Sequence, residues 1–180
     1  MGKSTFARLL ARRLGVKLLS LNDWIKEKGL GKRTEDGTLE VDIQRLSREF
    51  SKAKWGDLVV EGHLSHYLPS KMLSAVVVLR LHPKVLERRL RSRGYTGKKL
   101  RDNVEAESID LILVESLRRH GEEKVFELDM TKTTVERAVE RFLAAWRRGR
   151  RIRDRVDWLE SWGKEILKLE RETDPRVLAP

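Results

Sequence analysis

Met1-Gly2-Lys3-Ser4-Thr5 opens the chain and matches the second half of the phosphate-binding motif G-x-x-x-x-G-K-[ST]. In that motif a glycine lets the backbone turn tightly around an anion, and the lysine ammonium reaches the β- and γ-phosphates of a nucleotide. The first hydroxyl holds Mg²⁺, and the helix that follows points its positive end at the phosphates. Half a motif also occurs by chance, so the alternative is an ordinary helix N-terminus.

The residues after the motif predict the helix that a phosphate-binding loop requires. Phe6, Leu9, Leu10 and Leu14 lie at helical spacing, and Gly15 suits the left-handed position that ends a helix. Because the motif leads into an amphipathic helix of this kind, we favour the nucleotide-binding interpretation.

Composition limits the partners and the cell compartment. The net charge of +11 favours polyanionic partners, namely nucleotides, RNA or a ribosomal surface. The chain of 180 residues can bury one core, and without cysteine it forms neither disulfides nor a thiolate metal site. The sequence shows no signal peptide and no apolar run of membrane-spanning length. We therefore expect a cytoplasmic protein that does not bind membranes.

Alternating strands and helices predict an α/β fold, with a parallel sheet and helices on both of its faces. Short apolar runs predict four strands, at 16–21, 58–60, 75–81 and 125–128. Helices are expected at 24–28, 41–54, 83–94 and 103–120 and after Thr133 or Thr134, whereas 29–37 is expected to be a loop. A fifth strand should precede Gly2. In such sheets ligands bind at the carboxyl ends of the strands.

Polar residues follow the predicted strands at that edge. Glu61 could hold Mg²⁺ through water or position an attacking group, although a strand end often carries a polar residue of no function. His63 and His66 lack a third metal ligand nearby, so a loop that lines the site is favoured over a zinc site. In that loop His63 would orient water or phosphate. Arg80 and His82 end another strand.

Two basic segments each allow two interpretations. The cations around Gly94 and Gly97 form either a solvated surface or a lid that closes over a triphosphate and neutralises charge on the transferred group. Six arginines between 147 and 155 indicate a hinge that leaves the core, followed by an amphipathic helix from Trp158. They are the best nucleic-acid candidate, and a charged surface typical of thermophiles is the alternative.

Together these pieces resemble the archaeal and eukaryotic adenylate kinase isoenzyme 6 family, P-loop nucleotide kinases that double as assembly factors for the small ribosomal subunit. The resemblance is carried by Gly2-Lys3-Ser4-Thr5 and by the stretches 60–66, 91–95, 98–100 and 102–107. It covers most of the chain. It implies a nucleoside-monophosphate-kinase-like three-layer sandwich whose central first strand is missing from this sequence.

The resemblance also implies the activity and the site. The ATP γ-phosphoryl group would pass to AMP or a related nucleoside monophosphate, with Mg²⁺ as cofactor and with a slow ATPase activity. Ser4 and Glu61 would hold Mg²⁺, Glu61 and His63 match the acid-x-His motif of the family, and Arg93 corresponds to the lid arginine. The residues expected at the triphosphate site are Gly2, Lys3, Ser4, Thr5 and Arg93.

The same resemblance divides the chain. Residues 1–148 would form the kinase core, in which about 20–43 bind the monophosphate and about 92–102 form the lid. Residues 149–180 would form a basic, helical extension. A platform protein of the small ribosomal subunit and rRNA are the implied partners.

Three departures from the family pattern bear on the site. Glu61 replaces the usual aspartate and changes the metal geometry, and Lys26 replaces an arginine of some members and cannot grip a phosphate bidentately. The strand before Gly2 and the first half of the phosphate loop are the third departure. We expect translation to begin upstream of Met1. Mass spectrometry of the native protein would refute this expectation by finding an N-terminal peptide that begins at Met1.

Two other functions remain open at this point. The protein could be an assembly factor whose nucleotide site acts as a timer, with ATP hydrolysis driving its release from a ribosomal partner. It could also be a basic RNA-binding domain with an inactive site. The basic excess supports either function but does not distinguish them from a kinase.

Overall fold

A computed structural model describes residues 2–33 and 39–159. In these residues the helices are Lys3–Leu14 (α1), Leu21–Glu27 (α2), Ile43–Lys52 (α3), Pro83–Arg91 (α4), Gly97–Ser108 (α5), Leu111–His120 (α6) and Val135–Arg147 (α7). The strands are Lys17–Ser20 (β1), Gly31–Arg33 (β2), Leu39–Val41 (β3), Leu58–Glu61 (β4), Val76–Arg80 (β5) and Val125–Asp129 (β6).

Local sequence signals fix several helix starts. The Asp42 carboxylate accepts hydrogen bonds from the amides of Gln44 and Arg45 at 2.9 and 3.0 Å, and α3 therefore begins at Ile43. Thr134 caps α7 in the predicted way, and Pro83 occupies the first turn of α4.

The parallel strands form two separate pairs. β1 pairs with β4, which places Ser20 opposite Glu61, and β5 pairs with β6, which places Arg80 opposite Asp129. Within the described residues no strand joins β4 to β5. The fifth strand predicted before Gly2 lies outside the described residues and stays a prediction.

Side chains alternate across the second pair, and helices cover both of its faces. Phe126 and Leu128 of β6 join a core cluster with α1 and α7, where the rings of Phe126 and Phe142 meet edge to face at 5.0 Å. Glu127 points to the other face and accepts a hydrogen bond from Arg80, which also contacts the end of α5 and the start of α6. This layering confirms the predicted α/β fold.

A second core cluster lies beside the first strand pair. Leu21, Trp24 and Ile25 of α2 are buried there with Leu46 and Phe50 of α3. The cluster anchors the beginning and the end of the segment expected to bind the monophosphate, about residues 20–43.

The loop predicted at 29–37 is partly wrong. Residues Gly31–Arg33 and Leu39–Val41 pair as a short antiparallel ribbon. Strands of three residues carry too few side chains to show a period of two, and these strands are defined by their backbone pairing with each other. Residues 34–38 lie outside the described residues.

The single helix predicted at 103–120 is also wrong, because it is two helices. α5 already begins at Gly97 and ends at Ser108, and Asp110 adopts a left-handed conformation with φ of 57° before α6 begins. The Asp110 carboxylate contacts the buried Arg80, and this tertiary contact holds the break. Residues 97–102 of the predicted lid are therefore helical.

The hinge predicted at 147–155 is wrong for the same kind of reason. Arg153 forms a parallel β-bridge with Glu127, and Trp158 is buried beside His82 with 8% of its surface exposed. Charge alone indicated a departing segment, whereas backbone pairing to β6 keeps it on the core. The domain boundary near residue 148 stays a prediction. Most of the helix expected after Trp158 lies outside the described residues.

Among the helices of the described residues, none combines the length and the apolar character needed to cross a membrane.

Candidate nucleotide site

Helix α1 presents an uncompensated N-terminus. It begins at Lys3, directly after Gly2, whose φ of 76° lies in the left-handed region that favours glycine. Its first turn contains no acidic residue, and within the described residues no side chain caps it. The first amides of a helix have no partner inside the helix. This end of α1 therefore offers hydrogen-bond donors and a positive dipole to an anion.

Four of the predicted side chains meet at this N-terminus. Lys3 Nζ lies 2.9 Å from His63 Nδ1, and Ser4 Oγ donates a hydrogen bond to Glu61 Oε2 at 3.2 Å. Glu61 is the last residue of β4, and His63 lies in the loop that follows. The structure thus brings together residues that are about 60 positions apart in sequence.

Gly62 lets the chain turn between Glu61 and His63. A Cβ atom at this position would lie 3.0 Å from Leu21 Cβ, and the φ of 156° is one that other residues rarely adopt. The close approach of α2 to this loop therefore favours glycine, and the turn directs His63 toward Lys3.

The contact between Lys3 and His63 affects the pKa of both side chains. Desolvation lowers the pKa of Lys3, and the carboxylates of Glu61 and Glu107 oppose this shift. Desolvation and, next, the charge of Lys3 lower the pKa of His63 to about 4. His63 is therefore neutral near pH 7, and its Nδ1 accepts a hydrogen bond from the Lys3 ammonium.

We expect the His63 pKa to rise when Lys3 is replaced by methionine, because the neighbouring positive charge is removed while much of the desolvation remains. Histidine ring NMR measures this pKa in the native protein and in Lys3→Met. Lys17→Met, which removes an exposed lysine from β1, serves as the control and should leave His63 unchanged. An unshifted His63 pKa in Lys3→Met would contradict the contact.

The same shift predicts the direction of a stability change. The unfolded chain protonates this ring near its ordinary pKa of 6.5, but the folded chain does so only near 4. The unfolded state therefore binds more protons within that window, and stability falls as the pH drops through it.

Ser4 and Glu61 fit a magnesium site. Hydroxyl and carboxylate oxygens are the donors that Mg²⁺ prefers, and proteins often supply only one or two of its ligands while phosphate and water oxygens complete the octahedron. The described residues contain no group of three or more His, Asp and Glu side chains that could bind a metal alone. The Ser4–Glu61 pair therefore suits an ion that arrives with a nucleotide.

Arg93 and Thr5 do not join this cluster. Arg93 lies in the turn after α4 with an exposed side chain, and Thr5 is exposed on α1. The described residues show no hydrogen bond or ion pair that links either side chain to Lys3, Glu61 or His63. Their assignment to the nucleotide site stays a prediction, as does that of the lid around Arg93.

His66 faces the interior and does not line the site with His63. The ring is 3% exposed, and its Nε2 lies 2.9 Å from the Glu115 carboxylate of α6. His120 is also buried and contacts the His66 carbonyl oxygen at 2.7 Å. These two rings connect the loop after β4 to α6.

A buried ionic cluster near the site was not foreseen from the sequence. Arg80 is 1% exposed and binds Glu107 Oε1 at 2.8 Å and Glu127 Oε1 at 3.0 Å, in addition to its contact with Asp110. Its position at a strand end was noted, but its partners come from distant helices and strands. The Glu107 carboxylate also influences Lys3, which connects the cluster electrostatically to the site.

Comparison of the sequence with known proteins identifies the family. A family model described as an AAA domain matches residues 1–110. A Pyrococcus abyssi protein is 43% identical over 92% of this chain and 90% of its own length. A Thermococcus kodakarensis protein is 43% identical over 92% of both chains. A Methanocaldococcus jannaschii protein is 31% identical over 90% of this chain and 89% of its own. All three carry the name "Putative adenylate kinase". The chain therefore belongs to this family of P-loop nucleotide kinases.

Proposed function

We propose that the protein transfers the γ-phosphoryl group of ATP to AMP or a related nucleoside monophosphate, with Mg²⁺, and that it hydrolyses ATP slowly when no acceptor is bound. The observation that carries this proposal is the meeting of Lys3, Ser4, Glu61 and His63 at the N-terminus of α1. The names of the relatives support adenine nucleotides as substrates.

Lys3 is positioned to exchange its contact with His63 for contacts with the phosphates of ATP. Its ammonium rests against the neutral His63 ring, which is a weaker partner than a phosphate oxygen because the ring carries no charge. When ATP binds, Lys3 would move to the β- and γ-phosphate oxygens, and the first amides of α1 would donate hydrogen bonds to the same anion. These groups would stabilise the charge that develops during transfer.

Ser4 and Glu61 would hold Mg²⁺ beside those phosphates. An ion held by these two side chains would supply neutralisation of the phosphate charge. The longer side chain of Glu61, compared with aspartate, extends the carboxylate as far as Ser4 Oγ, at 3.2 Å.

His63 would orient a water molecule once Lys3 has moved from its ring to the phosphates. The neutral ring then keeps an unprotonated nitrogen near the phosphates, where it can accept a hydrogen bond from a water molecule and orient it. This arrangement would allow slow ATP hydrolysis when no acceptor is bound. AMP would displace that water and take the phosphoryl group itself.

Two segments would supply the rest of the site. Arg93 would approach the transferred group when the lid, about residues 92–102, closes. The monophosphate would bind along residues 20–43, where Lys26 is exposed and lies 3.8 Å from Asp23. Lys26 would contact a phosphate through a single point charge.

The test is ADP production by the native protein from ATP, measured with and without AMP. If the protein is a kinase, we expect two ADP molecules to form per transfer only when AMP is present. We also expect Glu61→Gln and Lys3→Ala to lose turnover. If ATP turnover requires a ribosomal partner, the protein is an ATPase that acts as a timer and not a kinase. No turnover under either condition would leave a binding protein with an inactive site.

We also propose a role in small ribosomal subunit maturation, with a platform ribosomal protein and rRNA as partners in the cytoplasm. The net charge of +11 supports this role, because it exceeds what binding of one nucleotide requires. Addition of purified small-subunit proteins to the ATPase assay tests it, and stimulation by none of them would argue against it.

A further inference from the structure

The segment 150–155 is held along the edge of β6. The Glu127 amide donates to the Ile152 carbonyl at 2.9 Å, and the Arg155 amide donates to the Glu127 carboxylate at 3.1 Å. The Asp129 amide donates to the Asp154 carboxylate at 2.8 Å. This backbone is therefore in a defined position, and its side chains have defined directions.

Those side chains alternate between two sides. Ile152 packs against the main hydrophobic cluster, and Asp154 pairs with Arg141 of α7 at 2.8 Å. The residues between and beside them, Arg151, Arg153 and Arg155, line an open cavity of about 710 Å³. We call these three residues the arginine row. Arg151 and Arg153 lie two residues apart, which in an extended chain is about 7 Å, whereas the backbone turns at Arg155, whose φ is 47°.

The arginine row is incompletely neutralised. Arg153 Nη1 lies 3.3 Å from Glu122 Oε1, but the Glu122 side chain is 83% exposed, and an ion pair of this kind is weak. Arg153 Nη2 is buried and has no hydrogen-bond partner among the described residues. Arg151 Nε donates to the Glu122 carbonyl at 3.1 Å, which fixes its guanidinium at the wall of the cavity.

The surroundings of the cavity add positive charge. Arg147, Arg148 and Arg150 are exposed on the chain that leads into it. The acidic residues that line it are Glu122 and Glu123, and its lining contains no aromatic side chain.

We infer that the arginine row binds the phosphodiester backbone of single-stranded RNA. Guanidinium groups bind phosphate bidentately, and three of them lining one cavity suit a polymer with one phosphate per unit. Without an aromatic side chain on which bases could stack, the cavity would bind independently of sequence. The inference identifies where the RNA partner of the proposed function binds, and does not depend on phosphoryl transfer.

Fluorescence anisotropy with a short labelled oligouridylate tests the inference. Binding is measured between about 50 and 200 mM KCl, because each phosphate contact contributes about 0.7 to the slope of log affinity against log salt for single strands. Replacing Arg151, Arg153 and Arg155 with glutamine should lower that slope by about 2. ADP production from ATP and AMP should stay unchanged, which separates failure of this inference from failure of the kinase.

A matched control removes the same charge elsewhere. Arg12, Arg45 and Arg48 are exposed on α1 and α3, and their replacement with glutamine leaves the total charge equal to that of the first variant. This control should retain most of the native slope. Equal losses in both triple variants would show that only net charge matters and would overturn the inference.

A variant that binds RNA more tightly cannot be explained by misfolding, which would only weaken binding. Glu122→Gln combined with Glu123→Gln removes both acids from the cavity lining, and oligouridylate should bind more tightly. Unchanged or weaker binding would overturn the inference. Polyglutamate is the competing polyanion. If it binds as tightly as oligouridylate and loses affinity equally in the arginine variant, the row is a site for acidic protein and not for RNA.

Discussion

Replacement of Lys3 by methionine should lower kcat/KM for AMP-dependent ADP formation by about 10²–10³-fold. The ammonium is the charged group at the N-terminus of α1, and its contact at 2.9 Å with a neutral ring leaves it available for phosphate. Methionine keeps an apolar stem of similar length, so the half-buried position stays filled. The measurement is a steady-state assay of ADP under saturating and limiting ATP.

Lys17→Met is the matched control for this loss. Lys17 is exposed at the start of β1, at the opposite end of the strand from Ser20, which lies opposite Glu61. Its replacement should change kcat/KM by less than about twofold, because salt screens the charge of an exposed side chain that lies away from the site. If Lys3→Met kept the activity of Lys17→Met, another group would have to bind the γ-phosphate.

The largest loss of stability should come from Arg80→Met. The guanidinium is surrounded by Glu107, Glu127 and Asp110, and its removal would leave two nearly buried carboxylates without their cationic partner. Breaking a buried pair from one side typically costs about 3–5 kcal/mol. Urea unfolding near neutral pH measures this free energy.

Arg141→Met provides the comparison for Arg80→Met. Arg141 pairs with Asp154 at 2.8 Å, but its side chain is 39% exposed, so the loss should be about 1 kcal/mol or less. A loss for Arg80→Met no larger than this value would contradict the view that the cluster compensates buried charge.

The pH dependence of Arg80→Met has a definite sign. Desolvation already raises the pKa of Glu107, and Arg80 opposes this shift. Without Arg80 the Glu107 pKa rises further, so the folded state binds a proton that the unfolded state releases above about pH 4.5. The variant should therefore recover stability, relative to the native protein, as the pH falls from neutral toward that value.

The sequence predicted the part of the site that depends on local motifs. Lys3 and Ser4 follow from the phosphate-loop pattern, and Glu61 and His63 follow from their position after a buried strand. Parallel strands bring such strand ends together with the N-terminus of a helix, and for that reason the meeting of these four residues could be expected without coordinates.

The remaining features depend on contacts between distant segments. Asp110 breaks a helix that its neighbours would continue, because its carboxylate contacts Arg80. Residues 150–155 look like a charged linker, but pairing of Arg153 with Glu127 holds them on β6. Periodicity and composition report a segment's own preferences and carry no information about a partner elsewhere in the chain.

The proposed function depends on one site, in which Lys3 and His63 would meet the phosphates of ATP. Its most direct test is titration of the native protein with ATP and Mg²⁺ while the four histidine rings are followed by NMR. We expect the His63 resonances to shift saturably, because Lys3 leaves the ring for the phosphates, while those of His120 stay in place. Saturable ATP binding that leaves His63 unperturbed would place the nucleotide elsewhere and contradict the account.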